Sequence, residues 1–229
     1  MNRQFYHIIL TISTLMISLL TACKKENSYT VPTPGTPKIT FVNAIPALTN
    51  LDFYIGVTKT ATLKDGFNSA YVQVEPGKKE ISVSNAGENG KVANMSVDLQ
   101  NGSNYAVFLC GTPSKADLLS VEYDQNLPSA DKVKVRFINL SQSPGGLSLS
   151  IRGLQPSYID QPYKRVTNFE IMDPRNEISY DIRKQNDQTV SASVEKTKLE
   201  AGKIYTLIAF DEKSAAGEAI IKLNIMQNN

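Results

Sequence analysis

From Lys38 onward, apolar residues recur at every second position. In GLSLSIRG, Leu147, Leu149 and Ile151 alternate with Ser148, Ser150 and Arg152, the period of a strand that buries one face. The same alternation sets Ile39 and Phe41 around Thr40. It pairs Ile81 and Val83 with Ser82 and Ser84, Met95, Val97 and Leu99 with Ser96 and Asp98, and Ile178, Tyr180 and Ile182 with Ser179 and Asp181. Turn formers punctuate these runs at Pro76-Gly77, Gly87 to Gly90, Asn101-Gly102 and Pro144-Gly145-Gly146. No long stretch carries the helical period. Short strands at this spacing predict an all-β sandwich or barrel.

The pattern occurs twice. KITFVNAIPALTNLDFYIG (Lys38 to Gly56) answers VKVRFINLSQSPGGLSLSIRG (Val133 to Gly153), with Phe41 against Phe137 and Asn43 against Asn139. Further on, LQNGSNYAVFL answers LEAGKIYTLIA, pairing Leu99, Gly102 and Tyr105 with Leu199, Gly202 and Tyr205. An offset of 96 to 100 residues is close to one immunoglobulin-like sandwich. The chain is therefore expected to fold as two tandem immunoglobulin-like β-sandwich domains, residues 38–127 and 132–229. The boundary falls in DQNLPSADK, where polar residues and Pro128 interrupt the strand pattern. The Leu-x-x-Gly-x-x-Tyr spacing resembles the tyrosine corner of such sandwiches, with Tyr105 and Tyr205 in that role. Antibody domains carry a disulfide cysteine two residues later. Val107 and Leu207 stand there instead, so an apolar core is expected.

Residues 1–22 follow a different rule. Arg3 is their only formal charge, the run from Ile8 to Leu20 is mostly Ile, Leu and Met, and Thr21 and Ala22 lead into Cys23. Charge, apolar core and small residues come in the order of a secretory signal. The apolar run also includes Thr11, Ser13, Thr14 and Ser18 and is shorter than the roughly 20 apolar residues of a membrane-spanning helix. Leu20-Thr21-Ala22-Cys23 resembles the lipobox of bacterial lipoproteins. The resemblance implies that the signal is removed before Cys23 and that this cysteine is acylated, anchoring the chain in the membrane; an ordinary signal peptide with a neighbouring cysteine is the alternative. Residues 23–37 read as a lipidated N-terminus and tether. Pro32, Pro34, Gly35 and Pro37 favour an extended segment of roughly 40 Å at about 3.1 Å per residue.

Composition narrows the chemistry. The formal net charge is +2, far from that of a nucleic-acid binder. His7 is the only histidine and lies in the signal, and Cys110 is the only thiol besides Cys23. A Ser-His-Asp or Cys-His arrangement, a zinc site of mixed His and Cys ligands and an internal disulfide are all excluded for the mature chain. Cys110 reads as a small, partly buried hydrophobe. Acidic residues such as Asp117, Glu122, Asp211 and Glu218 supply the type a glycosidase needs, but nothing pairs them. FDEKSAAGE (Phe210 to Glu218) lacks the ligand spacing of an EF-hand. No catalytic residue, metal ligand or cofactor is expected.

FVNAIP, LDFYIG, VEPGKKEISVSNAG, LQNGSNYAVFLCG and KVRFINLS, in that order, resemble the tandem bacterial envelope domain known as domain of unknown function 4397, in a lipoprotein of the Bacteroidetes type. The second repeat departs at DPRNE (Asp173 to Glu177), where the glycine turn is missing. The resemblance implies an outer-membrane lipoprotein on either the periplasmic or the surface face. Two functions fit. One is a non-catalytic binding or adhesion module for a glycan or an envelope protein; the other is a structural spacer or assembly subunit. For the first, LQPSYIDQPYKR has no aligned counterpart in the first repeat, and its Tyr158 and Tyr163 fall off the core parity. They are the candidate contact surface.

Overall fold

The structure, a computed structural model, describes residues 35–64, 67–123, 125–143, 145–187 and 189–228. Residues 1–22, expected as a signal, and Cys23 lie outside the described residues. Four four-stranded sheets carry the alternating pattern. The first contains β1 (Lys38–Asn43), β4 (Val72–Gln73), β7 (Asn104–Thr112) and β8 (Lys115–Tyr123), in the order β4-β1-β7-β8. Its partner contains β2 (Leu51–Ile55), β3 (Thr58–Leu63), β5 (Gly77–Asn85) and β6 (Lys91–Leu99), in the order β3-β2-β5-β6. The wiring recurs in the second half. There, β9 (Val133–Asn139), β12 (Glu170–Met172), β15 (Ile204–Lys213) and β16 (Ala219–Gln227) form a sheet β12-β9-β15-β16, opposite β11-β10-β13-β14. The latter uses β10 (Leu147–Ile151), β11 (Pro156–Gln161), β13 (Arg175–Lys184) and β14 (Val190–Leu199).

The architecture is thus an all-β pair of sandwiches. Each has eight strands, and its wiring differs from the four-plus-three order of an immunoglobulin constant domain. Consecutive strands β1 and β2 lie in opposite sheets, and β1 pairs in parallel with β7 from Lys38↔Asn104 to Asn43↔Leu109. The β9–β15 pair repeats this from Lys134↔Ile204 to Asn139↔Ala209. The repeats diverge at the entry to their fifth strands: Gly77 opens β5 with φ +97, whereas β13 starts at Arg175 straight after Asp173-Pro174.

Two apolar cores fill the sandwiches. Phe41, Leu51, Phe53, Ile81, Val107 and Leu109 centre the first, with Phe41 and Phe53 stacked at 4.8 Å. Phe137, Leu147, Leu149, Ile182 and Leu207 centre the second. A third cluster lies between them. Val42, Phe108, Cys110 and Val121 on the back of the first sheet meet Ile138, Leu140, Ile208 and Phe210 on the back of its counterpart. Those two sheets are consequently buried on both faces, which explains why Ala106 to Cys110 and Leu207 to Phe210 read as unbroken apolar runs. The outer sheets instead carry polar networks on their solvent sides. Asp52 accepts from Thr62 at 2.6 Å, and Asp181 accepts from Arg152 at 2.8 Å and Ser193 at 2.7 Å.

Tyr105 and Tyr205 each start a central strand. Their buried hydroxyls accept the backbone N–H of Gln100 at 3.0 Å and of Glu200 at 3.1 Å. Each bond pins the turn that precedes the strand. Removing the hydroxyl strips a partly buried N–H of its acceptor, a loss of about 1 kcal/mol. Tyr105→Phe and Tyr205→Phe are each expected to lower unfolding free energy by about that much. In urea melts of the double variant the losses should add, because the two sites lie in different sandwiches.

Candidate functional site

Strand direction sorts every loop to one of two poles. β1, β7, β9 and β15 run the same way, so Lys38, Asn104, Val133 and Ile204 mark one end and Asn43, Thr112, Asn139 and Lys213 the other. Contacts across the joint match like with like. Tyr71 donates to the Asn228 carbonyl at 3.2 Å at the first pole, and Phe67 meets Phe210 at 5.3 Å at the second.

The second pole holds a cleft of about 350 Å³ between the sandwiches. Equivalent segments of the two repeats line it. Ile45, Pro46 and Ala47 follow β1 as Gln142 and Ser143 follow β9; Gly111, Thr112 and Pro113 end the β7 side as Asp211, Glu212 and Lys213 end the β15 side. Asn43 and Asn139 shape the entering loops alike, their side-chain oxygens accepting the N–H groups of Ile45 and Ser141 at 2.9 Å. Gly111 is fixed in kind, since at φ +104 a Cβ would stand 2.5 Å from the Lys115 carbonyl oxygen.

The two walls differ in chemistry. The first sandwich contributes mostly aliphatic and proline surface, with Thr112 and no charge, while the second contributes all the charged groups, Lys184, Asp211, Glu212 and Lys213, beside Gln142, Ser143 and the apolar Ala219 and Ile221. Both acids are engaged within the fold. Asp211 accepts from the Ser141 hydroxyl at 2.6 Å and the Gln142 N–H at 2.7 Å, and Glu212 pairs with Lys222 at 3.3 Å. Among the described residues, Lys184 and Lys213 form no ion pair. The Ser143 hydroxyl is buried in the cleft wall without a hydrogen-bond partner in the protein. Among the described residues, no aromatic ring lines the cleft. The described residues contain no cluster of three His, Cys, Asp or Glu able to hold a metal.

Tyr158 and Tyr163 themselves do not form a solvent-facing contact surface, although neighbours such as Leu154 and Ile159 are exposed. Tyr158 is 8% exposed, stacks on Phe137 at 6.1 Å and donates to the Val135 carbonyl at 2.8 Å. Nor is the stretch an insertion. β11 is the counterpart of β3, and residues 165–167 repeat the role of residues 67–69. Phe41 N–H donates to Ser69 Oγ and Phe137 N–H to Thr167 Oγ1, both at 3.0 Å. The first repeat's Ala61 opposes Phe53 where Tyr158 opposes Leu149, and that size difference hides the correspondence. Tyr163 packs against the joint, beside Cys110, and Lys164 reaches across to Asp117. The segment is a clasp holding one sandwich to the other.

The clasp sets local protonation. The Lys164 ammonium holds the Asp117 carboxyl below the usual aspartate range, so Asp117 is an ionised acceptor rather than a proton donor. Burial pushes the Cys110 thiol up, and at 0% exposure it donates weakly to the Asp117 carbonyl. Cys110 is therefore a packing residue whose reactivity reports whether the joint is closed.

In a Cys23→Ala chain Cys110 is the sole thiol. Its labelling by a thiol reagent at pH 8 should run roughly 100-fold slower than in denaturant, and Lys164→Met should accelerate it. Because the folded-state pKa of Asp117 is depressed, the clasp's contribution is complete above the ordinary value of about 3.9 and is lost as pH falls through the folded value. Amide exchange at residues 161–165 should rise in that acidic window, relative to the intrinsic rate, and unchanged protection there would refute the role.

No curated protein matches the chain. Among solved structures it is similar to a streptococcal virulence factor described for alpha-glucan binding, with 9% identity over 73% of this chain and 92% of that one at a TM-score of 0.26. A candidate cell adhesion protein from Bacteroides ovatus ATCC 8483 matches with 9% identity over 86% and 96% at 0.25. A candidate adhesin from Bacteroides ovatus matches with 10% identity over 86% and 95% at 0.22. Likeness at this level carries no argument about function. The family comparison is more direct: the model of the domain of unknown function DUF4397 matches residues 37–150, from the start of the first sandwich into β10 of the second. That segment of the chain belongs to the DUF4397 family.

Proposed function

We infer that the protein is a non-catalytic binding module of the outer membrane, lipid-anchored through Cys23, that seats a protein segment in the cleft between its sandwiches. The observation that carries this reading is the two-sided cleft at the pole opposite Lys38. A tether joined at one end leaves the cleft at the other, with six-residue β1 alone setting the ends roughly 20 Å apart. An uncharged, mostly apolar wall facing one that carries Lys184 and Lys213 suits an extended segment with alternating aliphatic and acidic side chains. A neutral glycan would lack the aromatic platform that sugars stack on, so a protein ligand is favoured. A spacer role draws support from the apolar joint, which also makes the pair of sandwiches rigid.

Cys23→Ala should abolish acylation, read as loss of the lipid mass from the mature chain, and release the protein from the membrane fraction. A photo-crosslinking amino acid at Ala47 should capture an envelope protein in cells, and the Lys184→Glu, Lys213→Glu pair should cut the adduct at least several-fold. Absence of any adduct at Ala47 favours the spacer.

A further inference from the structure

The pole opposite the cleft carries a second feature. Each sandwich ends there in a hairpin tip built as a left-handed glycine followed by an aliphatic residue: Gly56-Val57 between β2 and β3, and Gly153-Leu154 between β10 and β11. Val57 is 98% exposed and Leu154 57%. Hairpin tips normally carry polar residues, because nothing covers them. Here an aliphatic side chain stands in the open at equivalent places of both repeats. Leu127, 60% exposed in the connection between the sandwiches, lies at the same end beside Lys38. Tip and linker residues belong to the outer sheets and to the joint respectively. With stacked sheets about 10 Å apart, the three span the width of the molecule. Beside Val57, Lys59, Lys78 and Lys79 share a groove with Glu75 and Glu80, an excess of one positive charge.

We propose that Val57, Leu127 and Leu154 are three footholds by which this pole rests on the bilayer that holds the lipidated Cys23. The proposal rests on the anchor reading above. The chain from Cys23 reaches the described residues at this pole, through a tether no longer than roughly 40 Å, so the surface in reach is that membrane. Single aliphatic residues bind a bilayer weakly alone. Next to an existing anchor they need only orient the body, because the anchor has already supplied the local concentration. Seated so, the molecule stands with its strands along the membrane normal and its cleft outward.

The test uses the acylated full chain in vesicles of phosphatidylethanolamine and phosphatidylglycerol. Cys110 is buried and Cys23 is blocked by lipid, so Val57→Cys, Leu154→Cys and, as control at the cleft pole, Val190→Cys each take one environment-sensitive fluorophore. The labels at positions 57 and 154 should shift to the blue and lose at least half their emission to nitroxide-bearing lipid, while the label at 190 should not respond. Equal, water-like emission at all three positions in protein whose mass shows the lipid would overturn the footholds and leave the anchor standing. A blue shift without quenching by lipid nitroxide would mean that protein covers the tips and would overturn them too. A chain lacking the lipid mass would overturn the anchor and the footholds together.

Discussion

The burial of two sheets on both faces is the constraint on which the rest depends. A free sandwich could leave the backs of β1, β7 and β8 polar, as the outer sheets do with Asp52 and Asp181. Instead Val42, Phe108, Ile138, Leu140, Ile208 and Phe210 close on one another. Full burial of such a side chain is worth about 1.5–3 kcal/mol relative to exposure, so separating the sandwiches would be costly. The loops at one pole are thereby held beside each other, and a cleft exists only because they are. With Cys110 the only cysteine among the described residues, no crosslink contributes. Shape and apolar area carry the fixity.

One cation sits inside this joint. Arg136 is buried, its Nε donating to Thr206 Oγ1 at 3.1 Å and its Nη1 to the Glu122 carbonyl at 3.4 Å. Its guanidinium lies over the rings of Phe169 at 4.7 Å and Tyr123 at 5.3 Å. At the equivalent place the first repeat has Thr40, whose hydroxyl donates to the Ser69 carbonyl at 2.9 Å. A planar cation between two rings, with directional bonds on its edge, tolerates little sliding. Apolar packing supplies most of the adhesion between the sandwiches, while Arg136 fixes their register.

Much of this was legible in the residues. Period-two alternation in Leu147 to Arg152 and the recurrence of Phe41 and Asn43 at Phe137 and Asn139 lead to two sandwiches, because half-buried strands and shared turns leave such marks. The joint left a fainter one. Ala106-Val107-Phe108-Leu109-Cys110 breaks the alternation, and in an antiparallel setting an unbroken apolar run means that the second face is covered too. What covers it is a contact between residues about a hundred positions apart, which spacing cannot express. Tyr158 misled for a related reason. β11 carries bulges against β10 at Leu147/Leu149 and Leu149/Ser150, so parity along that strand does not report the side of the sheet. The cleft, assembled from six loops and strand ends, has no linear signature at all.

The parallel pairing of β1 with β7 has a mechanical side. A pull on the chain before Lys38, the first residue of β1, against a load held at the far pole would be directed along the strand. The six registered pairs from Lys38↔Asn104 to Asn43↔Leu109 are then loaded together in shear, rather than peeled one after another as at a hairpin end. The second sandwich adds no link in series, because it is attached sideways through the joint instead of being strung beyond the first. Such a load strains the ladder where it resists best, and the body should yield only when the whole of β1 slides.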